Sequence, residues 1–592
     1  MGLLQQAVKT YEFLESQGMV GKYEAEKEPL APIGHKIAPA KIEITLDANG
    51  KFITAQNVNE KIIIPVTEES ANRTSKSASK NPHPLCDKLT YLSGNDENKF
   101  TLYTEQLQKW VESEYGDPVL EAVLNYVKGK TVVKDLVNAG IVKCDEKGCV
   151  KNEEDIICWK VGDIRLCEGE ILKKYEMYYL SEKSSDFCIC YVTGKKTMSA
   201  SRHLKGVVSY SGNAKLISAN DNTNFTYRGR FTESEQAVSV GYNVSQKAHN
   251  ALRWLLSNEG YSKNNRRFIC WCPSGKKLPK PQDSFLHRGG DKYKWVDYQN
   301  DLQKMLESYK TNLTDMDDVV IASFEAATNG RLSVTYYNEL KGSDFLERLK
   351  YWDETCCWYD NRWGVSAPSL YSIVEYAFGN QRGSDENSNM EADENIIGQN
   401  MQRLIRCRVD KEKIPRDIVK NMVNKAERLH LYNKKNRDKL LFTACAVIRK
   451  YLIDHKKEEC EMALETEKKD RSYQYGRLLA VLEKIEIAAY GKDKAGITNA
   501  LRMQSMFVKR PLKTTDILLS QLKNVCYPKL TVASRVFFDR IIGQIMEVIS
   551  QTGGDILNKP LSETYLIGYY LQKNSLDNYS KDNADLEESE EE

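Results

Sequence analysis

The sequence has little of what announces an enzyme, a metalloprotein or a membrane protein. Histidine is scarce, with seven in 592 residues, at 35, 83, 203, 249, 287, 430 and 455. No two of them stand at a spacing that would offer a metal two imidazoles from one helix or strand. Fifteen cysteines are present, but none forms a CxxC pair, so neither a zinc ribbon nor a finger is written here. Cys188/Cys190 and Cys270/Cys272 alternate within apolar runs, where both sulfurs of a pair fall on one side of a strand and pack as small hydrophobes. A phosphate-binding GxxxxGK[ST] loop and a GxSxG nucleophile elbow are both missing. No catalytic role, metal or cofactor is expected. No run approaches the roughly 18 apolar residues that span a bilayer. The opening MGLLQQAVKTYEFLESQGMV lacks an uninterrupted apolar core and predicts an amphipathic helix through Leu4, Ala7, Val8, Tyr11 and Leu14. Gln6 stands where a myristoylation motif has Ser or Thr. A cytoplasmic protein with no membrane partner is expected.

Excess charge of either sign is lacking too: 85 basic and 83 acidic residues leave a net +2. A polyanion-binding surface must therefore come from local segregation of charge. At 41% hydrophobic and 28% charged residues, the chain has ample material for real cores.

Residues 1–380 read as a mixed α+β body. KIEITLDANGKFITAQNV (41–58) alternates through Ile42, Ile44 and Leu46, turns at Asn49-Gly50 and returns, which predicts a hairpin. Strand-like runs recur at 186–194, 267–273, 319–327 and 330–340. Helical periodicity appears at 119–137, 245–260 and 298–310. A polar, acid-rich stretch, 381–400, reads as a linker. Beyond it, 401–461 forms a basic helical segment: fifteen Lys/Arg against five acids in 401–450. Residues 462–580 read as an all-α bundle, and 581–592 as an acidic disordered tail. The fold class is α+β, a large mixed N-terminal α/β body followed by an all-α C-terminal helical bundle.

Three segments have the composition of nucleic-acid contacts. The loop around 72–88 sets Arg73, Lys76, Lys80 and Lys88 among Asn72 and Ser75, cations for phosphates beside short polar groups for base edges. The segment 206–230 places Ser211 and Asn213 before Phe225, Tyr227, Arg228 and Arg230, aromatics beside cations as single-strand binding requires. In the basic window, Lys434, Lys435, Arg437 and Lys439 cluster. Each has a plainer alternative: a solvated loop, exposed β-structure and a solvated helix face.

Several blocks, taken in order, resemble the large subunit of type I-C CRISPR Cascade complexes. They are the hairpin around Leu46-Asp47-Asn49-Gly50, Arg73-Thr74-Ser75, Pro84-Leu85-Cys86-Asp87, Tyr91-Leu92-Ser93-Gly94, CYVTGKKT (190–197), KGVV…SGNAKLISAN (205–220), GRLSVTYYNEL (330–340), APSLYSIV (367–374), GRLLAVLEKIE (476–486) and LIGYYLQK (566–573). The chain departs from the family at Leu571 and Ala219-Asn220. The resemblance implies a non-catalytic subunit that recognises a protospacer-adjacent motif in duplex DNA, assists strand opening and holds the displaced strand. The implied partners are guide RNA (crRNA), target double-stranded DNA, the backbone, crRNA-processing and small subunits, and a recruited helicase-nuclease. Pairing with the guide reads the long target, and the protein reads the short motif. A divergent metal-dependent nuclease, to which neighbours such as Glu24, Glu26 and Lys27 would belong, and a nucleic-acid-independent scaffold are the other classes.

The resemblance also implies a small subunit made from an internal start, and Met462 is the candidate. Lys457-Glu458-Glu459 can be encoded AAG-GAG-GAA, a purine-rich ribosome-binding stretch separated from the Met462 codon by little more than those of Cys460 and Glu461.

Overall fold

The computed structural model describes residues 2–74, 80–143, 151–183, 187–218, 231–232, 234–263, 265–283, 295–328, 330–360, 364–383, 385–491, 496–552 and 558–591. About half of the chain is helical and about 17% is strand, with α+β structure N-terminal and helices C-terminal as the sequence predicts. Two units are formed: Met1–Leu278 with Asp317–Leu340, and Pro279–Met316 with Lys341–Glu592.

In the first unit, alternation builds β1 (His35–Leu46) and β2 (Phe52–Pro65), paired antiparallel. The turn between them is fixed by Asp47, whose Oδ1 accepts from Asn49 N at 2.9 Å and Lys51 N at 2.8 Å. Gly50 sits there at φ 79°, and a Cβ on it would lie 2.4 Å from the Ala122 carbonyl oxygen, so glycine is required twice over. Sequence periodicity did not reveal β3 (Ile156–Val161), which runs parallel to β1 and carries β4 (Ile164–Arg165) on its far side. It is a six-residue run, apolar except for Lys160, with the Ile157, Trp159 and Val161 face buried and the other face partly so; four apolar residues in a row at its start hide the alternation. Leu85 ties the layer above the sheet, its carbonyl accepting from Tyr103 Oη at 2.6 Å and Trp159 Nε1 at 3.0 Å.

The run around Cys188 forms only a short hairpin, β5 (Phe187–Ile189) with β6 (Lys196–Met198). Cys190 is buried and Cys188 half-buried on the inner side, and the thirteen described cysteines are all free thiols. A second sheet, order β10-β9-β8-β7, is built from β7 (Tyr261–Lys263), β8 (Arg266–Trp271), β9 (Asp318–Thr328) and β10 (Arg331–Lys341). Helices Leu3–Ser16 and Tyr242–Asn258 share its core through Ala7, Tyr11, Ala248, Leu252, Ile269 and Val320.

The second unit is mainly helical. Arg408 and Asp353, each 1% exposed in its side chain, form a doubly hydrogen-bonded pair, and Arg408 also donates to the carbonyl of Pro281 at 2.8 Å. β11 (Asn380–Gln381) pairs antiparallel with β12 (Met390–Glu391), and helix Glu394–Val409 follows. Helices Arg471–Tyr490 and Thr564–Glu591 approach to backbone contact. A Cβ on Gly476 would lie 1.9 Å from the Tyr565 carbonyl oxygen, and one on Gly568 would lie 2.0 Å from that of Tyr473. A reciprocal pair of glycines thus sets this crossing, and the buried Glu483 locks it by accepting from Tyr569 Oη and Lys573 Nζ. Among the described residues no helix is long and apolar enough to cross a membrane.

Candidate nucleic-acid interface

The 72–88 loop leaves a four-residue helix, Glu68–Ala71, capped by Thr67 Oγ1, which accepts from Ser70 N at 3.0 Å. Both ends of the loop are then fastened to one carboxylate. Asp87, fully buried, accepts from Arg73 Nη1 at 2.7 Å, Arg73 Nη2 at 2.5 Å, His83 N at 2.7 Å and Lys88 N at 2.8 Å. The Arg73 guanidinium lies 4.8 Å from the centre of the Tyr91 ring, and its side chain is 9% exposed. The structure therefore gives Arg73 an internal position in place of the phosphate-facing one its sequence suggests. Asn72 is buried as well: its Nδ2 donates to the Glu68 carbonyl at 2.9 Å, while its Oδ1 has no partner among the described residues. Lys80 is exposed, and Lys88 is ion-paired with Glu154. Ser75, Lys76, Arg228 and Arg230 lie outside the described residues.

The second segment comes to the base of this loop. Residues 201–205 are tied to it twice, because Glu68 accepts from Ser201 Oγ at 2.8 Å and Arg202 N at 3.3 Å, and Lys205 Nζ donates to the Arg73 carbonyl at 2.8 Å. Lys205 Nζ also donates to Asn213 Oδ1 at 2.9 Å. Gly206, at φ 73°, closes a tight excursion in which Gly206 N donates to the Ala214 carbonyl at 3.0 Å. That leaves Ser211 half-exposed and Asn213 exposed, while Val207, Val208 and Ala214 anchor it in the core.

The result is a concentration of cations that sequence reasoning did not single out. The side chain of Lys36, half-buried near the start of β1, makes no hydrogen bond or ion pair among the described residues. Burial pushes its ammonium down to about 7, and the neighbouring Arg73, Lys205 and Arg253 add to this against the opposing Asp87. Lys205 is likewise lowered by burial, then by Lys215, Arg73 and Lys88. Lys215 is lowered by burial and by Arg202. His83 lies under the same field: burial first, then Lys36, Arg73, Lys88 and Lys205 hold it neutral, far below its usual range. Mutual repulsion in a partly desolvated setting, with Asp87 already committed to Arg73, is relieved by a bound anion. Nothing in the sequence marks Lys36 or Lys215, since the signal is the crowding of cations that folding brings together.

The basic window of the second unit is partly spent internally. Arg403 pairs with Asp417, Arg406 with Glu412, Arg408 with Asp353 and Lys450 with Asp454. Arg449 donates to the carbonyl of Cys460 at 3.1 Å. Lys434, Lys435 and Lys439 are exposed and Arg437 half-exposed on helix Lys434–Tyr451, with Lys435 Nζ donating to Asn389 Oδ1 at 2.9 Å. Lys434, Arg437 and Lys439 have no ion-pair partner among the described residues. Met462 is half-buried in a non-helical stretch before helix Arg471–Tyr490, where it lines a cleft with Tyr359, Arg449 and Cys460. Among the described residues no three His, Cys, Asp or Glu side chains gather as metal ligands would.

No curated protein matches the sequence. A family of CRISPR-associated proteins (Cas_Csd1) matches residues 8–576, nearly the whole chain, so this protein belongs to that family.

Proposed function

We propose that the chain is the large, non-catalytic subunit of a type I-C CRISPR surveillance complex and that it recognises the protospacer-adjacent motif in duplex DNA. The observation that carries this reading is the group of cations at Lys36, Lys205 and Lys215, at the base of a loop whose two ends share Asp87. Phosphates draw a duplex to the cations, and the clamped loop, with Lys80 and the Asn213 excursion beside it, is placed against base edges. Lys434, Lys435, Arg437 and Lys439 serve the displaced strand or the guide backbone. The chain also provides the surface on which the helicase-nuclease docks, and cutting belongs to that partner.

The test is copurification of the tagged chain from cells that also express the neighbouring genes and a guide array, followed by binding to duplexes with and without the motif. Motif-dependent binding in a guide-containing assembly is expected. Steady cleavage of labelled DNA by the pure chain with Mg²⁺ or Mn²⁺ would instead support a divergent nuclease. Assembly without salt-sensitive DNA binding would support a plain scaffold.

The reading includes a small subunit started at Met462. A product spanning 462–592 begins outside any helix and carries every helix from Arg471 onward. Expression of the gene with a C-terminal tag is expected to yield a second, short product. Synonymous recoding of Lys457–Glu459 away from the purine consensus should remove it. A short product that survives both that recoding and Met462→Leu, or no short product at all, places the start elsewhere or nowhere.

A further inference from the structure

We propose that the β5–β6 hairpin is a stacking platform for single-stranded nucleic acid, an extension of the DNA-binding reading above. Phe187 and Ile189 are 58% and 64% exposed, and Tyr191, just past the strand, is 63% exposed. Large apolar side chains so open to water, three within five residues, are not explained by packing. The face is defined by register: Ile189 stands opposite Lys196, and Phe187 opposite Met198. The Lys196 ammonium lies 5.6 Å from the centre of the Phe187 ring, and Lys195 is exposed beside it at the turn. Neither lysine has an ion-pair partner among the described residues, so the platform carries aromatic, aliphatic and cationic groups without a neutralising acid.

The hairpin is also rigidly mounted. Gln5 Nε2 donates to the Val192 carbonyl at 2.7 Å, Tyr191 N to the Ser239 carbonyl at 2.8 Å, and Ser239 Oγ to the Ile189 carbonyl at 2.9 Å. A Cβ on Gly241 would lie 2.3 Å from Thr197 Cγ2, so this glycine lets the backbone close under the hairpin. An element pinned at three points yet showing its apolar face to solvent is presenting that face to something.

Charge and position favour a nucleic acid over a protein partner. Rings and aliphatic groups interleaved with cations suit bases and phosphates in alternation, and base stacking is sequence-tolerant. The chain runs directly from β6 into Arg202 and Lys205, so the Met198 end of the platform, where Phe187 pairs, lies within about 25 Å of Lys205, seven residues at ~3.5 Å each. That is the reach of a few nucleotides leaving a duplex held at Lys36 and Lys205.

The experiment compares the full-length chain with a Phe187→Ser/Ile189→Ser/Tyr191→Ser variant, whose altered side chains are exposed and leave the core intact. The probes are a mixed-sequence single-stranded oligonucleotide carrying 2-aminopurine and a blunt duplex of the same sequence. The variant is expected to lose at least about fivefold in single-strand affinity, the low end for removing one stacked base, and to lose the 2-aminopurine quenching. Duplex binding should stay unchanged. Equal single-strand affinity and quenching in both proteins overturn the platform while leaving the duplex reading standing. Loss of copurifying subunits with single-strand binding intact also overturns it, by making the hairpin a protein contact. Failure of the unaltered chain to bind either probe removes the nucleic-acid reading on which the platform rests.

Discussion

Replacing Asp87 with alanine is expected to destabilise the first unit by about 3–5 kcal/mol, the cost of leaving a buried charge without its partner. The carboxylate is fully buried and receives four hydrogen bonds, two from Arg73 and two from backbone amides at His83 and Lys88. Its loss takes the carboxylate from the Arg73 guanidinium, 9% exposed in its side chain, which keeps the Asn81 carbonyl at 3.2 Å as an acceptor, and it releases both ends of the loop at once. Removing both partners as Arg73→Met/Asp87→Leu should recover much of the loss of the pair itself, because a well-packed apolar replacement spares both desolvation costs. The amides of His83 and Lys88 would still lack their acceptor, so recovery should be incomplete. Urea denaturation combined with hydrogen exchange across residues 81–92 measures both effects. An Asp87→Ala variant within about 1 kcal/mol of the parent, with unchanged protection in that segment, would show that the clamp is not what fixes the loop.

Mild acid should be the other large perturbation of the first unit. His35, His83 and His249 are buried and His203 half-buried. Burial, acting first in every case, lowers His35 to about 4 and His203 to about 3, and it lowers His83 and His249 as well. Each imidazole is therefore protonated more readily in the unfolded chain, near pH 6.5, than in the folded one. Stability from these groups is fully present above that pH and is lost as pH falls below it, by about 1.4 kcal/mol per unit per histidine until the folded value is reached. Glu176 opposes the trend: burial, with Glu15 adding, raises it to about 7, so its protonation favours the folded state over the same range. His35 and His203, less the opposing Glu176, leave a net loss on the order of 2 kcal/mol between pH 6.5 and 5, and His83 and His249 act in the same direction, against typical total stabilities of ~5–15 kcal/mol. Amide exchange in peptides covering 30–46, 80–92, 200–216 and 242–258 should accelerate steeply over that interval. Protection that stays flat from pH 7 to 5 would contradict the buried, neutral state of these side chains.

How much of this was legible in the sequence depended on whether the signal was local. The β1–β2 hairpin was, because alternation through Ile42, Ile44 and Leu46 and the Asn49-Gly50 turn are contiguous. β3 was not, because Ile156, Ile157, Cys158 and Trp159 are apolar in succession and mask the period of a half-buried strand. The predicted helix over 119–137 breaks into Pro118–Lys128 and Val132–Asn138, divided at Gly129-Lys130, where Lys130 takes φ 55°. At the site, the composition of 72–88 and of 206–213 drew notice, and the structure brings those two segments together through Lys205, Arg73 and Asn213. Their roles were harder to see. Arg73 reads in the sequence as one more loop cation, and only its proximity to Asp87, fourteen residues on, shows that its charge is spent inside. Lys36 has the opposite history: an ordinary strand residue in the sequence, it becomes a cation crowded by Arg73, Lys205 and Arg253 in the fold, with Asp87 opposing them. The net charge of the 401–450 window likewise overstated its free charge, since Arg408 and Lys450 are committed to buried partners.

The cations gathered at Lys36 and Lys205 are expected to contact the phosphates of target duplex. The salt dependence of duplex binding by the assembled complex, with and without Lys36→Ala/Lys205→Ala, measures this most directly. The slope of log affinity against log salt should become shallower by roughly 0.9 for each lost phosphate contact. Affinity should fall alike for duplexes with and without the motif, because a phosphate contact carries no sequence information. A variant that assembles normally and binds duplex with the slope and affinity of the parent would contradict the account.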